Sequence, residues 1–361
     1  MNKIRVFEAF SGIRSQSIAL RNLGIDYEVV AISEIDKYAI QAGEAIQGKV
    51  LNLGDISKIK VEDIPQHDLF TYSFPCQDLS VSGKQEGLIR GQTRSGLLYE
   101  CEKIIEYCKP KYLLLENVKN LVGKKFKPQF DEWLDYLEGL GYTNYVKVLN
   151  SKNYGIPQNR ERVFVVSILG EHEPYEFPKP IPLDKCIADI LEDQVDEKYY
   201  INKPFHLVNK GHQAELDIKG QDCIKRVYDI DKIAPTLTTM QGGLREPKIL
   251  ERKIVCEQRC DEGLRFFKDN VCGTIRTINS GGDKRIIELK EKNKDDHTID
   301  TDFRIRKLTP RECFRLMGLK DDDIDKIQQV GISNTQQYKL AGNSIVVDVL
   351  EGIFRNLFVK K

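Results

Sequence analysis

The sequence predicts an α/β protein with a doubly wound, mostly parallel sheet and a second, smaller domain composed mostly of β structure and loops. Over the first 170 residues, short apolar runs of strand-like composition alternate with segments of helical periodicity. A change in composition follows, marked by prolines at positions 174, 178, 180 and 182. Beyond it the chain is richer in polar residues and glycine turns, and the last 30 residues return to a helical pattern. We therefore expect a larger domain at 1–183 plus 332–361 and a smaller one at 184–331.

The elements of the first part of the chain can be placed individually. Strands are expected at Ile4–Phe7, Glu28–Ser33, Leu69–Ser73, Tyr112–Leu115, Thr143–Leu149 and Val163–Ile168. Helices are expected at Ser15–Leu23, Lys37–Ala45, Leu97–Cys108 and Gln129–Leu140. The segment GNSIVVDVLEGIFRNLF has apolar residues at helical spacing and predicts a further helix that packs on the core. In such sheets ligands bind beyond the carboxyl ends of the strands, so functional residues are expected there.

The composition limits the function classes only broadly. The 361 residues contain 55 Lys+Arg and 55 Asp+Glu, which argues against a generally basic protein, although a local basic groove suffices for nucleic acid. Nine cysteines without a framework spacing indicate a reducing compartment, so a cytoplasmic location is expected. Cys256, Cys260 and Cys272 have no clear fourth ligand, and no metal site is predicted. Neither a membrane span nor a signal peptide is recognisable, and no membrane association is expected.

The first three candidate strand ends suit an adenosine-type cofactor. VFEAFSGIRSQSIAL, residues 6–20, joins a strand to a helix but has one glycine, with Arg14 where a glycine-rich loop would have its second. Glu34 follows the second strand, 22 residues after Gly12, where a carboxylate can hold two ribose hydroxyls. Asp55 suits either an adenine amino group or a turn cap. Each of these residues could also have a purely structural role. Only the order in which they occur along the chain indicates a cofactor site.

The segment YSFPCQDLS ends the next strand and displays Cys76 behind the stiff Pro75. A cysteine there can be a nucleophile, although its reference pKa of about 8.5 means that it needs activation by its surroundings. A buried core cysteine is the alternative, but the polar neighbours Gln77 and Asp78 argue against burial. The following segment, SVSGKQEGLIRGQTRSG, interleaves glycines with basic residues and reads either as a lid over a phosphate backbone or as a solvated loop.

Two later motifs carry charge at strand ends. Glu116 directly follows an apolar run in LLLENVKNL. Partial desolvation of its carboxyl group would raise its pKa, so that it could carry a proton to a ring nitrogen. In YGIPQNRERVFVV, Gln158, Arg160 and Arg162 alternate, so a strand would present all three on one face. Such a face suits a phosphate and a carbonyl oxygen, and a plain exposed strand face is the alternative.

Together these motifs resemble the cytosine-5 DNA methyltransferases, a bacterial and phage family that uses S-adenosylmethionine. The resemblance runs nearly end to end and in family order. It is carried by FSG, Glu34, Asp55, FPCQDLS, RSGLLYE, ENVKNL, QNRER, RKLTPRECFRLMGL and YKLAGNSI. The chain departs from the family at Arg14, where the family commonly has glycine, and at Glu8, where it usually has Asp. We expect the Arg14 side chain to point away from the cofactor, because a cation would be repelled by the sulfonium.

The resemblance implies a covalent mechanism with Cys76, Glu116, Arg160 and Arg162 as catalytic residues. The Cys76 thiolate would add to carbon 6 of a flipped-out cytosine, and Glu116 would hydrogen-bond or protonate ring nitrogen 3. Arg162 would hold the carbonyl oxygen at ring position 2. The addition makes carbon 5 nucleophilic, so that it can accept the methyl group.

The resemblance also implies binding residues. For the cofactor these are Glu8, Phe10, Ser11, Gly12, Ile13, Glu34, Ile35, Asp55, Ile56, Pro75, Leu98, Asn343 and Ser344. For DNA they are Ser80, Ser82, Lys84, Gln85, Arg94, Gln158, Thr236, Thr238, Thr239, Gln241, Thr274, Arg276, Thr277 and Asn279. The last eight belong to two echoing segments, Thr236–Gly243 and Thr274–Gly282, that are candidates for reading the major groove. The smaller domain would then be a target-recognition domain.

The expected partner is double-stranded DNA, bound by a monomer, in a restriction-modification system with a cognate endonuclease or in a protective phage system. Two alternatives stay open. One is a tRNA cytosine-5 methyltransferase of the same fold, which would recognise shape and 2′-hydroxyls. The other is an inactive homologue that acts as a DNA-binding repressor.

Overall fold

The computed structural model describes residues 3–75, 95–208, 210–240, 242–252, 256–259, 263–266 and 303–359. The strands are β1 (Ile4–Ala9), β2 (Tyr27–Ser33), β3 (Leu69–Tyr72), β4 (Tyr112–Val118), β5 (Tyr142–Asn150), β6 (Gln158–Asn159), β7 (Glu161–Leu169), β8 (Tyr200–Ile201), β9 (Phe205–Leu207), β10 (Ala214–Leu216), β11 (Arg226–Tyr228), β12 (Ala234–Pro235), β13 (Lys248–Arg252), β14 (Cys256–Arg259), β15 (Gly263–Phe266) and β16 (Phe303–Lys307). The helices are α1 (Ser15–Asn22), α2 (Lys37–Gln47), α3 (Leu98–Cys108), α4 (Lys127–Gly139), α5 (Asp222–Lys225), α6 (Pro310–Arg315), α7 (Asp321–Gln329), α8 (Asn334–Asn343) and α9 (Val347–Phe358).

The main sheet has the strand order β2-β1-β3-β4-β7-β5. β1 to β4 pair in parallel, whereas β7 is antiparallel to both β4 and β5. The predicted α/β class with a mostly parallel sheet is thus confirmed. The chain leaves β1 toward β2 and then crosses back to β3, so a topological switch point lies between β1 and β3. At such a point the loops diverge and leave a crevice beyond the carboxyl ends of the strands.

Large aromatic side chains on adjacent strands form the core beside this crevice. Phe7 and Phe70 are register partners, and their rings stack with centroids 5.2 Å apart. Tyr72 stacks on Phe70 in turn, and Trp133 of α4 packs against Tyr72 at 6.2 Å. These side chains are almost completely buried, which makes the strand ends rigid supports for the loops that follow them.

Most predicted elements agree with the structure, and one difference affects the site. The prediction ended the fourth strand at Leu115, but β4 continues to Val118 because its end pairs with β7 through Val118 and Arg162. Glu116 therefore lies inside a paired strand, opposite Phe164, and not in a loop. The C-terminal helix is also present as α9, where Ile353 and Phe354 are fully buried.

The chain forms two compact units. The larger contains the described residues within Met1–Glu192, Asp231–Glu246 and Thr309–Lys361, and the smaller those within Asp193–Ile230 and Pro247–Leu308. The smaller unit has a sheet of order β8-β16-β13-β11-β10-β9 and the hairpin β14-β15. Its core is small and is formed by Ala214, Leu216, Val227, Leu250 and Ile305. Packing thus places residues 231–246 and 309–331 with the larger unit. The assignment of 184–331 to DNA recognition stays a prediction.

Two kinds of feature are absent from the part of the chain that the structure describes. None of its helices has the length and apolar character needed to cross a membrane. Within the same residues, no cluster of three or more His, Cys, Asp or Glu side chains has an arrangement that could hold a metal ion.

Candidate active site

A cavity of about 400 Å³ lies in the larger unit at the carboxyl edge of the main sheet. Its size is within the ordinary range for a small-molecule site. The residues after β1, β2 and β3 contribute to its lining, as do the last residues of β4, the residues at the start of β7 and those at the α8–α9 junction. From the predicted site it brings together Phe10, Ser11, Gly12, Ile13, Glu34, Ile35, Asp55, Ile56, Pro75, Glu116, Arg160, Arg162, Asn343 and Ser344.

The loop after β1 is fastened to the end of β2 by the Glu34 carboxylate. Gly12 N donates to Glu34 Oε2 at 2.9 Å, and Glu34 Oε1 accepts from the amides of Ile35 and Asp36 at 2.8 Å each. Gly12 has φ 54°, a conformation that favours glycine. Three backbone amides thus orient the carboxylate, which retains further lone pairs for a ligand.

The side of the cavity next to Glu34 combines apolar surface with a second carboxylate. Ile35 is 74% exposed although it is a large apolar residue, and Ile56 is buried in the cavity wall. Asp55 accepts from the hydroxyl and the amide of Ser57 at 2.8 and 3.1 Å. These hydrogen bonds from Ser57 lower the pKa of Asp55, so the group stays ionised at neutral pH. The structure therefore gives Asp55 a turn-capping role, while also placing it in the cavity wall.

An ion pair at the cavity wall was missed by the sequence reasoning. Lys339 Nζ of α8 lies 2.6 Å from Asp36 Oδ2, the cap of α2, and both residues line the cavity. Burial acts to raise the pKa of Asp36, but the hydrogen bonds from Lys339 and from the amide of Tyr38 outweigh it and lower the pKa. Lys339 stands in the motif YKLAGNSI, and that position was the available signal.

Glu116 and Arg162 form the polar centre of the opposite half of the cavity. Arg162 Nε lies 3.2 Å from Glu116 Oε1, and the Glu116 residue is only 8% exposed. Burial raises the pKa of Glu116, while Arg162, Arg160 and a hydrogen bond from Ser73 act against it. The carboxyl group is therefore primed to hold a proton at a higher pH than an exposed glutamate.

Asn117 holds the strand end that leads to the predicted nucleophile. Its Nδ2 donates to Phe74 O at 3.0 Å, and its Oδ1 accepts from Val118 N at 2.9 Å. The side chain is buried, so these bonds fix the end of β4 against the segment that follows β3. Pro75, the next residue, lines the cavity. Cys76 follows it in sequence and lies outside the described residues.

Arg160 ties three segments of the larger unit together. Its guanidinium donates to Leu237 O at 2.9 Å, to Gly342 O at 3.0 Å and to Ser344 O at 2.9 Å. The side chain is buried among these carbonyls, although the residue also contributes to the cavity wall. The Nη1 and Nη2 donors of Arg160 thus serve the protein backbone, and the catalytic role expected for this residue stays a prediction.

Gln158 requires a similar correction. It is fully buried, with Nε2 donating to Leu316 O at 2.8 Å and Oε1 accepting from Leu237 N at 3.1 Å. Both ends of its amide are occupied inside the protein, so the predicted contact with DNA does not fit this position. The expected common face fails because Gln158 belongs to β6, which pairs with β12 and not with the main sheet.

Glu8 and Leu98, which were both predicted to bind the cofactor, do not line the cavity. Glu8 is fully buried beneath the loop, where Oε1 accepts from the amide and hydroxyl of Ser17 at 3.0 and 2.7 Å. Arg14 lies beside it and is also absent from the cavity lining, which agrees with the expected orientation away from the cofactor. Leu98 has no exposed surface, and its neighbour Leu97 lines the cavity in its place.

The predicted DNA contacts divide into two groups. Thr236 and Thr238 are exposed, Thr239 is half-buried, and all three belong to the larger unit. Apart from Gln158, the remaining predicted residues lie outside the described part of the chain. These are Ser80, Ser82, Lys84, Gln85, Arg94, Gln241, Thr274, Arg276, Thr277 and Asn279. The echo between the two threonine segments accordingly stays a prediction.

Comparisons with solved structures agree with this architecture. The Entamoeba histolytica methyltransferase EhMeth superimposes with a TM-score of 0.70, covering 100% of both chains at 18% identity. The S. pombe Dnmt2 methyltransferase superimposes with a TM-score of 0.67, covering 99% of both chains at 18% identity. At this level of identity the similarity shows a shared fold.

Comparisons of sequence are more specific. The orphan methyltransferase M.SPBetaI of Bacillus phage SPbeta is 36% identical, with 99% of this chain and 98% of that protein aligned. The type II methyltransferase M2.ScrFI of Lactococcus lactis subsp. cremoris is 37% identical, with 98% of this chain and 99% of that protein aligned. The family model for C-5 cytosine-specific DNA methylase matches residues 4–359. The chain therefore belongs to the C-5 cytosine-specific DNA methylases and is a DNA cytosine methyltransferase related to phage and restriction-modification enzymes.

Proposed function

We propose that this enzyme methylates carbon 5 of a flipped-out cytosine in a specific double-stranded DNA sequence, through a covalent adduct with Cys76. The observation that carries the proposal is the pair of Glu116 and Arg162 in one cavity with the loop after β1 and Glu34. One half of this cavity has the groups that a pyrimidine ring needs, and the other half those that an adenosine needs.

S-adenosylmethionine fits the second half by its chemistry. The oriented carboxylate of Glu34 suits the two ribose hydroxyls, and the exposed Ile35 and buried Ile56 offer apolar surface to an adenine ring. Phe10 to Ile13 and the α8–α9 junction at Asn343 and Ser344 would enclose the rest of the molecule. When bound, the cofactor supplies the methyl group from a positively charged sulfonium.

Glu116 would act on the cytosine ring as a proton donor. Burial raises the pKa of its carboxyl, so Glu116 holds its proton to a higher pH than an exposed glutamate and can supply it to ring nitrogen 3. A proton or hydrogen bond at that nitrogen offsets the negative charge that develops when a thiolate adds to carbon 6. Arg162 Nε lies 3.2 Å from Glu116 Oε1. Arg162 would therefore hold the carbonyl oxygen at ring position 2 while Glu116 faces ring nitrogen 3.

Cys76 would supply the covalent step. Its thiolate forms the bond to carbon 6, and the electron pair displaced from the 5,6 double bond makes carbon 5 nucleophilic. After the methyl group has been added at carbon 5, a base removes the carbon-5 proton, the double bond forms again and Cys76 leaves as a thiolate. Asn117 supports this step from the protein side, because it holds the carbonyl of Phe74, two residues before Cys76 in the sequence.

The substrate would be duplex DNA, from which the target base must be flipped because carbon 6 cannot be reached inside the stack. Exposed Thr236 and Thr238 would contact the DNA from the larger unit, and the smaller unit would read the sequence. A monomer suffices for this chemistry. A restriction endonuclease of the same specificity would be a functional partner, and protection of phage DNA would need none.

Methylation of purified DNA and purified tRNA in parallel reactions tests the substrate. We expect labelled methyl groups from S-adenosylmethionine to enter DNA, at cytosine 5 of one sequence in bisulfite reads, and not tRNA. Incorporation into tRNA alone would overturn the proposed DNA substrate. Glu28→Gln, at the exposed amino end of β2, is the control variant, and we expect it to methylate DNA as the wild type does.

A further inference from the structure

Arg14 lies buried next to the loop that lines the cofactor half of the cavity, without lining the cavity itself. We propose that Arg14 is a positioning residue that holds residues 10–13 in the shape that binds S-adenosylmethionine. It does so through Glu8 on one side and the end of α2 on the other. This proposal rests on the proposed function, since it concerns the cofactor half of the same cavity.

The backbone of the loop needs support of this kind. Phe10 has φ 53°, Gly12 has φ 54° and Arg14 has φ 66° with ψ 47°. Two of these three left-handed residues carry a side chain, and L-residues with a Cβ rarely adopt this conformation because it is sterically unfavourable. Arg14 also precedes α1 without providing a side-chain cap for the helix. Contacts elsewhere must therefore stabilise the loop.

The Arg14 side chain provides such contacts on the side of α2. Nη1 donates to Gly48 O at 3.0 Å, while the main-chain carbonyl of Arg14 separately accepts from Gln47 Nε2 at 3.1 Å. Gly48 follows the last residue of α2, where the partial negative charge of the helix end favours a cation. The side chain passes close to Gly43, at which a Cβ would lie 3.1 Å from Arg14 Cδ. Arg14 thereby ties the start of α1 to the carboxyl end of α2.

The second anchor is Glu8 of β1. Arg14 Nε lies 3.4 Å from Glu8 Oε2, while Glu8 Oε1 accepts from the amide and hydroxyl of Ser17. Burial raises the pKa of Glu8, and the charge of Arg14 is the largest influence in the opposite direction. Removal of Arg14 would leave this buried carboxylate without its counter-charge, a condition that strongly disfavours the present arrangement.

The loop is thus held at two nearby points, Gly12 and Arg14. Gly12 N is held by Glu34 at the end of β2, and Arg14 is held at Glu8 and Gly48. The cavity is lined here by one of these fixed residues, Gly12, and by its neighbours Ser11 and Ile13. Loss of the Arg14 contacts would therefore let the loop sample other shapes, and the cofactor would have to order it again on binding.

Calorimetric titration of the full chain with S-adenosylmethionine tests the proposal on three variants. Arg14→Gly removes the side-chain contacts with Glu8 and Gly48 but keeps the main-chain bond from Gln47 and suits the left-handed backbone, so any loss is due to the side chain. Arg14→Lys keeps a charge but not the guanidinium that reaches both Glu8 and Gly48. Arg355→Ala is the matched control, because Arg355 is an exposed arginine of α9 far along the chain. Thermal unfolding verifies that each variant is folded.

We expect Arg14→Gly to bind the cofactor about tenfold more weakly, with Arg14→Lys in between and Arg355→Ala unchanged. In DNA methylation the KM for the cofactor should rise while kcat at saturating cofactor stays within about twofold. Wild-type affinity in Arg14→Gly would overturn the proposal, and so would wild-type affinity in Arg14→Lys if Arg14→Gly did not fold. Failure of the wild-type protein to bind S-adenosylmethionine would instead overturn the proposed function.

Discussion

Arg162 Nε lies 3.2 Å from Glu116 Oε1, at the point where the antiparallel strand β7 meets the carboxyl end of β4. The register that pairs Val118 with Arg162 and Asn117 with Val163 places the arginine beside the glutamate. Because β7 runs opposite to β4, its first residues reach the same edge of the sheet as the last residues of the parallel strands. This topology lets a motif from the middle of the chain contribute to the cavity.

Glu116→Gln should lower kcat by about 100-fold, because an amide cannot transfer a proton to ring nitrogen 3. Burial raises the pKa of Glu116, so kcat of the wild type should fall as the pH rises through that raised value and the carboxyl loses its proton. The alkaline fall should be absent from the pH profile of the variant. Glu161→Gln, at an exposed position of β7, is the control and should change neither quantity. A kcat within about threefold of wild type in Glu116→Gln would remove Glu116 from the mechanism.

Glu34→Gln should weaken S-adenosylmethionine binding by about tenfold. The amide nitrogen of a glutamine would face either Gly12 N or the amides of Ile35 and Asp36, all of which are donors. The loop after β1 would lose its fastening together with the partner for the ribose. Titration of the variant beside Glu28→Gln, from the other end of β2, measures the effect. Equal affinities of these two variants would contradict a role for Glu34 in the cofactor site.

Arg160→Lys should lower the free energy of unfolding by about 3 kcal/mol, because the compact ammonium of a lysine does not reproduce the broad, planar guanidinium that reaches three buried carbonyls through Nη1 and Nη2. These carbonyls belong to Leu237, Gly342 and Ser344, which lie on two separate segments of the chain. Urea unfolding followed by fluorescence provides the measurement, with the exposed Arg355→Lys as control. Unfolding midpoints that coincide for both variants would show that Arg160 has no such linking role.

Asp348→Asn should stabilise the protein at pH 8 but not at pH 3. Burial, reinforced by Glu351, raises the pKa of Asp348 from 3.8 to about 6. A carboxyl whose folded pKa is raised contributes its stability fully below the unfolded value and loses it as the pH rises through the folded value. The shift corresponds to about 2 to 3 kcal/mol at pH 8, which the asparagine avoids. A stability difference between variant and wild type that does not depend on pH would contradict this assignment.

The parts of the site that follow directly from strand ends could be predicted from the sequence. Glu34 and Glu116 each come after an apolar run, and parallel strands bring their carboxyl ends to one edge. The family resemblance then joined these positions in one site. The same reasoning placed the loop after β1 correctly in the cavity wall, in spite of its single glycine.

The roles of Gln158 and Arg160 could not be predicted in this way. Their partners at Leu237 and Ser344 lie 79 and 184 residues further along the chain, and only the folded structure brings them together. Strand periodicity suggested one common face, but the chain changes partners between β6 and β7, so alternation no longer decides which side chains are exposed. The ion pair of Asp36 and Lys339, 303 residues apart, was missed for the same reason.

Trapping of the protein on DNA tests the covalent attack of Cys76 on cytosine. Duplex DNA in which 5-fluorocytosine replaces the target cytosine is incubated with the protein and S-adenosylmethionine, since fluorine at carbon 5 prevents the final proton removal. We predict a stable protein–DNA adduct, attached at Cys76 in peptide mass spectra and absent with Cys76→Ala. An adduct that persists in Cys76→Ala, or methylation of ordinary DNA by that variant, would show that Cys76 is not the nucleophile.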